Sequence, residues 1–227
     1  MDSLADFPLL AGLTEEQVER FNAQCVWKNY EPDELIIDHH ESSTDVRFIV
    51  QGNVRIVVRM VEGREVILND YGAGQFFGEL AAIDGGLRSA NVTATVKTRL
   101  CFMPQSVFQA ICFESPDVSW AMMNHLVGHV RRLSNRLAEF SFLKAKHRLY
   151  AELLRLSRPR SGRRDQRIIS PALPQAEIAD RISSRREIVS REMKALERRG
   201  ILERSRGGLV ICEPQQLKRL AAEGWTS

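Results

Sequence analysis

The apolar positions change rhythm three times along the chain. Phe7 to Phe21 reads as a short helix, with Thr14 as its N-cap and Gln17 completing a capping box. From Glu34 to about Pro104 the apolar runs are short and of period two: Phe48-Ile49-Val50, Val54 to Val58, Val66-Ile67-Leu68. Gly52-Asn53 and Glu62-Gly63 separate them as hairpin-type turns, and Gly72, Gly74, Gly78, Gly85 and Gly86 add breaks. This pattern predicts a compact antiparallel β-structure of barrel or roll type with helices at its ends.

Helical rhythm returns after Pro116. Met123, Leu126, Val130, Leu133, Leu137 and Phe140 are spaced 3, 4, 3, 4 and 3, an a/d seam over more than two heptads. Arg131, Arg132, Asn135, Arg136 and Glu139 make the remaining surface polar. So narrow a stripe suits a coiled coil better than a core helix, and it predicts homodimerisation. A second helix, about Lys146 to Leu156, leads into a basic, breaker-rich loop from Ser157 to Arg164. Helical patterns resume at Gln175. A short hairpin closes the fold: Leu202 to Arg204, a Gly207-Gly208 turn, and Leu209 to Cys212. The expected fold class is α+β. An N-terminal antiparallel β-roll covers residues 1–115, a long dimerisation helix 116–145, and a C-terminal winged helix-turn-helix 146–227.

The helix-turn-helix is read from residues 175–194. Its first helix is about Gln175 to Ile182, with Ala179 small where a second helix crosses. Ser183-Ser184 breaks the pattern, and Ile188, Val189, Met193 and Leu196 rebuild an apolar face. Arg185, Arg186, Glu187, Ser190 and Arg191 stand at the N-terminal end of the second helix, the end that enters a major groove. Arginine grips guanine O6 and N7, and glutamate accepts from cytosine N4. Glu187 also forms an S-x-x-E capping box with Ser184, here the lesser role. Arg204 and Arg206 at the closing hairpin suit a wing against phosphates. Charge agrees: residues 144–227 carry +10 and residues 1–143 carry −7, an electrostatic footprint for double-stranded DNA beside an acidic body.

Residues 78–90 read Gly-Glu-Leu-Ala-Ala-Ile-Asp-Gly-Gly-Leu-Arg-Ser-Ala. This stretch resembles the phosphate-binding cassette of cyclic-nucleotide domains. Arg186-Glu187-Ile188-Val189-Ser190-Arg191 is similar to the recognition helix of the bacterial cAMP receptor protein family, which also includes FNR-type regulators. The resemblance covers nearly the whole chain. It implies a transcription regulator, not an enzyme, with cAMP or cGMP as allosteric ligand and a palindromic TGTGA-like site read by Arg186, Glu187 and Arg191; the alternatives are a same-fold regulator with another small ligand or a vestigial, empty cassette, and a cyclic-nucleotide module acting on a protein partner. It places the ligand on Gly78, Glu79, Leu80, Arg88 and Ser89. It adds Ser134, with Asn135 beside it, as the base contact from the partner subunit. The chemistry fits a cyclic phosphate: Arg88 supplies a fixed cation, Ser89 a hydroxyl, and Glu79 an acceptor for a ribose hydroxyl. Leu133 stands where the cAMP receptor protein has threonine, which leaves adenine against guanine open. The cassette is one residue shorter than in that protein, and Ser183 replaces a turn glycine.

Other chemistries are weaker. An iron–sulfur sensor needs an N-terminal cysteine cluster, and only Cys25 lies there. Haem could be ligated by His39, His40, Cys101 or His125, but no spacing singles them out. His125 and His129 at i, i+4 permit metal ligation, yet no third ligand is in view. A cupin-like enzyme would need His39-His40-Glu41, whose two histidines point to opposite faces if they lie on a strand. No metal is therefore expected. Without a C-x-x-C pair, the four cysteines read as free, mostly buried thiols. The acidic Met1-Asp2-Ser3-Leu4 start and the lack of a long apolar run predict a cytoplasmic protein with no membrane partner. The basic stretch Arg158 to Arg167 is a surface for phosphates or RNA polymerase, or a solvated linker.

Overall fold

Residues 3–59 and 65–225 are described by a computed structural model of the chain. They form two compact units, Met1–His129 and Val130–Ser227.

The first unit opens with single 3-10 turns at Leu4–Asp6 and Pro8–Leu10, followed by α1 (Glu15–Asn22). The one helix expected from Phe7 to Phe21 is thus divided. Pro8 has no N–H to donate and starts a turn of its own, so the chain restarts at the Thr14 cap. The capping box has both its bonds: Gln17 N–H donates to Thr14 Oγ1 at 3.3 Å, and Thr14 N–H to Gln17 Oε1 at 3.0 Å.

Two antiparallel four-stranded sheets follow, with strands numbered in chain order. One has the order β1 (Val26–Tyr30), β8 (Thr98–Met103), β3 (Val46–Gln51), β6 (Phe76–Phe77). The other has the order β2 (Leu35–Ile37), β7 (Asn91–Ala94), β4 (Asn53–Arg59), β5 (Glu65–Gly72). The expected roll therefore starts earlier than Glu34, at β1. Gly52-Asn53 is not a hairpin turn. It carries the chain from β3 in one sheet to β4 in the other. Gly52 has φ +94°, and a Cβ there would lie 2.5 Å from Thr98 Oγ1, so only glycine fits this corner. β4 and β5 pair from Asn53↔Gly72 to Arg59↔Glu65, while the Glu62-Gly63 turn lies outside the described residues. Ile37, Ile49, Val54, Phe77, Val92 and Leu100 are buried together in one core cluster. A second cluster joins Phe7, Phe48, Met103, Phe108 of α3 (Gln105–Glu114), and Val118 and Met122 of α4 (Pro116–Phe142). Each such side chain contributes about 1.5–3 kcal/mol on burial.

Helix α4 runs the 27 residues from Pro116 to Phe142. Its expected seam divides in two. Leu126 packs against the core of the first unit, and Phe140 is half-buried beneath the guanidinium groups of Arg136 and Arg148, 5.5 and 5.3 Å from its ring centre. Met123, Val130, Leu133 and Leu137 are exposed, as are Trp120 and Val127, which the heptad reading left out. The uncovered stripe is therefore Trp120, Met123, Val127, Val130, Leu133 and Leu137.

The second unit adds α5 (Ala145–Leu156), α6 (Gln175–Arg181), α7 (Arg186–Arg198) and α8 (Pro214–Ala222) around a sheet. Its order is β11 (Leu202–Ser205), β12 (Gly208–Ile211), β10 (Arg163–Ile169), β9 (Arg158–Arg160). Two expectations change here. The basic loop is a hairpin, β9–β10, turning at Gly162 with φ +75°. Its arginines hid the strand pattern: β9 is an edge strand that tolerates Pro159, and Arg167 is held by donating to the Ser157 hydroxyl at 2.7 Å. The closing hairpin is also not the end, because Pro214 at the first helical position starts α8, whose Leu217 is fully buried. Leu149, Leu153, Ile178, Val189, Met193, Leu196 and Ile211 fill the core.

Candidate functional site

In the first unit the chain leaves β6 through Gly78, left-handed at φ +89°, and enters the short helix α2 (Glu79–Asp84). Gly85, also left-handed at φ +72°, ends it. A Cβ on Gly78 would lie 2.5 Å from Arg88 Nη1 and 2.9 Å from the Asp45 carbonyl, so this glycine lets the arginine pass beneath the backbone. Arg88 is buried, 3% exposed. Its Nε donates to Ser43 Oγ at 2.9 Å, Nη1 to the Gly78 carbonyl at 3.0 Å, and Nη2 to the Asp45 carbonyl at 2.8 Å and carboxylate at 3.2 Å. The ion pair of Arg88 is thus with Asp45, which also accepts from Arg47 Nε at 2.6 Å. Ser89 and Leu80 are exposed beside it.

Glu79 points elsewhere. It is 5% exposed, and burial pushes its carboxyl up from the usual range, against the pull of its own backbone N–H and of Arg88. Its Oε1 lies 4.0 Å from His129 Nδ1. The other nitrogen of that ring, Nε2, is hydrogen-bonded to Tyr71 Oη at 2.9 Å. His125 sits one turn earlier, its ring 5.1 Å from that of His129 and nearly perpendicular at 87°. Glu79 is thus the third group that the i, i+4 histidine pair lacked in the sequence. No local signal announces it, since 46 residues separate Glu79 from His125. His39 and His40 are not on a strand. His40 has φ +68°, and the two rings stack 3.7 Å apart instead of facing opposite ways.

Ser134 and Asn135 are exposed on α4. In the second unit, α6 and α7 are joined by a tight turn through Ser183, which takes the left-handed conformation at φ +47° in place of a glycine. Ser184 N–H donates to the Ala179 carbonyl at 2.9 Å. The Ser184–Glu187 capping box does not form. Arg185 is the N-cap, and Ser184 Oγ is buried with no hydrogen-bond partner among the described residues. Glu187 is left exposed, as are Arg185, Arg186 and Arg191, with Ser190 half-buried between them. Val189, Met193 and Leu196 anchor the opposite face in the core. Gln175, Arg186, Glu187, Ser190, Arg191 and Lys194 line one surface depression. Gln175 and Lys194 were not singled out in the sequence; for Lys194 the available signal was its place one helical turn after Arg191 on α7, whereas Gln175 comes from α6 and had none. On the wing, Arg206 is exposed, whereas Arg204 is held by Glu197 of α7 at 2.9 Å.

Comparison with known proteins agrees with both halves. The cyclic nucleotide-binding domain model matches residues 27–115, and the Crp-like helix-turn-helix domain model matches residues 147–220. The chain is 28% identical over 175 residues to the CRP-like cAMP-activated global transcriptional regulator of Mycobacterium tuberculosis, covering 76% of this chain and 78% of that one. It is 24% identical to the cAMP-activated global transcriptional regulator CRP of Salmonella typhimurium, covering 83% and 90%. Among solved structures, FixK2 from Bradyrhizobium japonicum superposes with a TM-score of 0.73 at 21% identity, covering 86% and 96%. The Thermus thermophilus catabolite activator protein gives 0.54 at 26% identity, covering 95% and 99%. With a cyclic nucleotide-binding domain ahead of a Crp-like helix-turn-helix, the chain belongs to the CRP/FNR family of DNA-binding transcription regulators.

Proposed function

We propose that this regulator is a homodimer whose affinity for a palindromic TGTGA-like site is gated by cAMP or cGMP. The carrying observation is the cassette: Arg88, fixed beneath the left-handed Gly78, with Ser89 exposed at its edge. Ser89 and the last N–H of Arg88 take the cyclic phosphate, Glu79 the ribose hydroxyl, and Ser134 of the partner subunit the base, with Leu80 and Asn135 alongside. cAMP is tried first, because relatives from Mycobacterium tuberculosis and Salmonella typhimurium are named as cAMP-activated. The exposed stripe of α4, Met123, Val130, Leu133 and Leu137 with Trp120 and Val127, is the seam between two copies. Pairing through it brings two α7 helices to successive major grooves, about 34 Å apart. Arg186, Glu187 and Arg191 read bases. Arg185, Ser190, Arg204 and Arg206 serve as backbone contacts.

The ligand acts by population shift: it binds the DNA-competent state more tightly than the other. The test is DNA affinity at fixed salt, with and without saturating cAMP or cGMP; equal affinities would sink the gating. A second reading has one observation in its favour. Asp45 already neutralises Arg88, and a carboxylate at that point repels a phosphate. On that reading the roll senses a different ligand, and calorimetric titration with both nucleotides gives no heat of binding.

A further inference from the structure

Glu79, His125 and His129 offer one ligand atom each, and these atoms lie within 4.8 Å of one another. We propose that they form a binding site for a first-row divalent transition metal ion, of the two-histidine, one-carboxylate type.

Three observations carry it. First, the donor set is right. Two imidazoles and one carboxylate suit Zn²⁺, Fe²⁺ or Co²⁺, whereas Mg²⁺ and Ca²⁺ take oxygen ligands. Second, the ligands are built into the frame. His125 and His129 are one turn apart on the 27-residue α4, and Glu79 heads α2, immediately after the fixed turn at Gly78. His129 turns Nδ1 toward Glu79, while Nε2 is bonded to the Tyr71 hydroxyl, the outer partner that orients a ligating imidazole. Third, the charge balance calls for a cation. Glu79 is 5% exposed, and Arg88, the arginine nearest in the cassette, is committed to Asp45. Among the described residues, the basic group within 4.0 Å of the Glu79 oxygens is the His129 imidazole, which is charged only when protonated. A divalent ion at this point neutralises the buried carboxylate and is held by two imidazoles without desolvating a lysine or arginine. Contraction from the present spacing to bonds of about 2.0–2.2 Å needs side-chain shifts of about 1 Å.

Three protein ligands leave at least one coordination position for water or an exogenous donor. Glu79 is also the residue assigned above to the ribose, so metal and nucleotide compete for it. The metal measurement is made without nucleotide, which keeps the two readings separable.

The experiment uses the untagged full-length protein, stripped with chelator, titrated with Co²⁺ and followed by visible absorption, then challenged with Zn²⁺. Expected is one equivalent per chain with a ligand-field band that Zn²⁺ abolishes. His125→Gln and His129→Gln each lose the band. Tyr71→Phe keeps it with affinity reduced about 10-fold. The double variant His39→Gln/His40→Gln leaves it unchanged. Circular dichroism of each variant without metal confirms that it is folded. The proposal is overturned if binding is substoichiometric, if it survives both single α4 histidine variants, or if it is lost in the His39/His40 variant.

Discussion

Arg88→Ala is the obvious variant for the proposed ligand site, and the structure says what else it does. The guanidinium is 3% exposed and makes four hydrogen bonds to Ser43, Gly78 and Asp45. Breaking a buried ion pair by removing one partner costs about 3–5 kcal/mol. Asp45 keeps Arg47, at 2.6 Å, so its carboxylate is not orphaned and the lower end applies, about 3 kcal/mol. For a unit of this size each kcal/mol moves the melting point by about 3–5 °C, giving a fall of roughly 9–15 °C. The assay is thermal unfolding followed by circular dichroism, with Asp45→Asn as a companion. A melting point within about 2 °C of the parent would refute the reasoning, because it would mean these bonds add nothing beyond what water offers. A domain of ordinary stability, about 5–15 kcal/mol, survives the loss at low temperature. Nucleotide binding by Arg88→Ala is therefore to be measured near 10 °C and set beside its melting curve.

The other predictions concern the second unit and the seam. Arg186→Ala, at an exposed position, should cost about 1–3 kcal/mol for the cognate site and relax specificity there, whereas Lys194→Ala should reduce the salt slope of binding by about 1. Filter binding across a salt series separates the two. Gly208→Ala puts a Cβ 2.1 Å from the Ile169 carbonyl at φ +147°, so the wing must shift; a loss of at least about 1–3 kcal/mol in urea unfolding is expected. His147 is buried, with Nδ1 lacking a hydrogen-bond partner among the described residues, and burial pushes its pKa below the usual value, helped by Lys146 and Lys144 and opposed by Glu223 and Glu192. Its depressed pKa leaves stability untouched above the unfolded value, near 6.5, and removes it as pH falls from there through the folded value. His147→Gln should flatten stability against pH in that window. Leu133→Asp together with Leu137→Asp, at two exposed apolar positions, should yield monomers in sedimentation velocity.

The helix-turn-helix was legible because its signals are local. The apolar positions of α7 recur at helical spacing, and the exposed arginines fall on the remaining face of the same helix. The cassette was legible for a similar reason, since two left-handed glycines bracket six helical residues in an unbroken stretch. The exposed apolar stripe of α4 was legible only in outline. Heptad spacing can name Leu126 or Val127 equally well, and the choice depends on what already occupies the neighbouring core.

By itself, then, the sequence determined the periods: two through β3, β4 and β5, near 3.6 in α4 to α7, and most of the breaks between them. It also determined the caps and turns that depend on residues within a few positions, such as Thr14 with Gln17, or Gly78 ahead of Glu79. Only the tertiary structure decided which strands share a sheet, so that Gly52-Asn53 became a corner and not a hairpin. It alone paired Arg88 with Asp45, 43 residues away, and set Glu79 against His125 and His129. The physical reason is range. Backbone geometry and hydrogen bonding to near neighbours are written into short stretches of chain. The partner of a buried charge is chosen by the topology that closes the core around it.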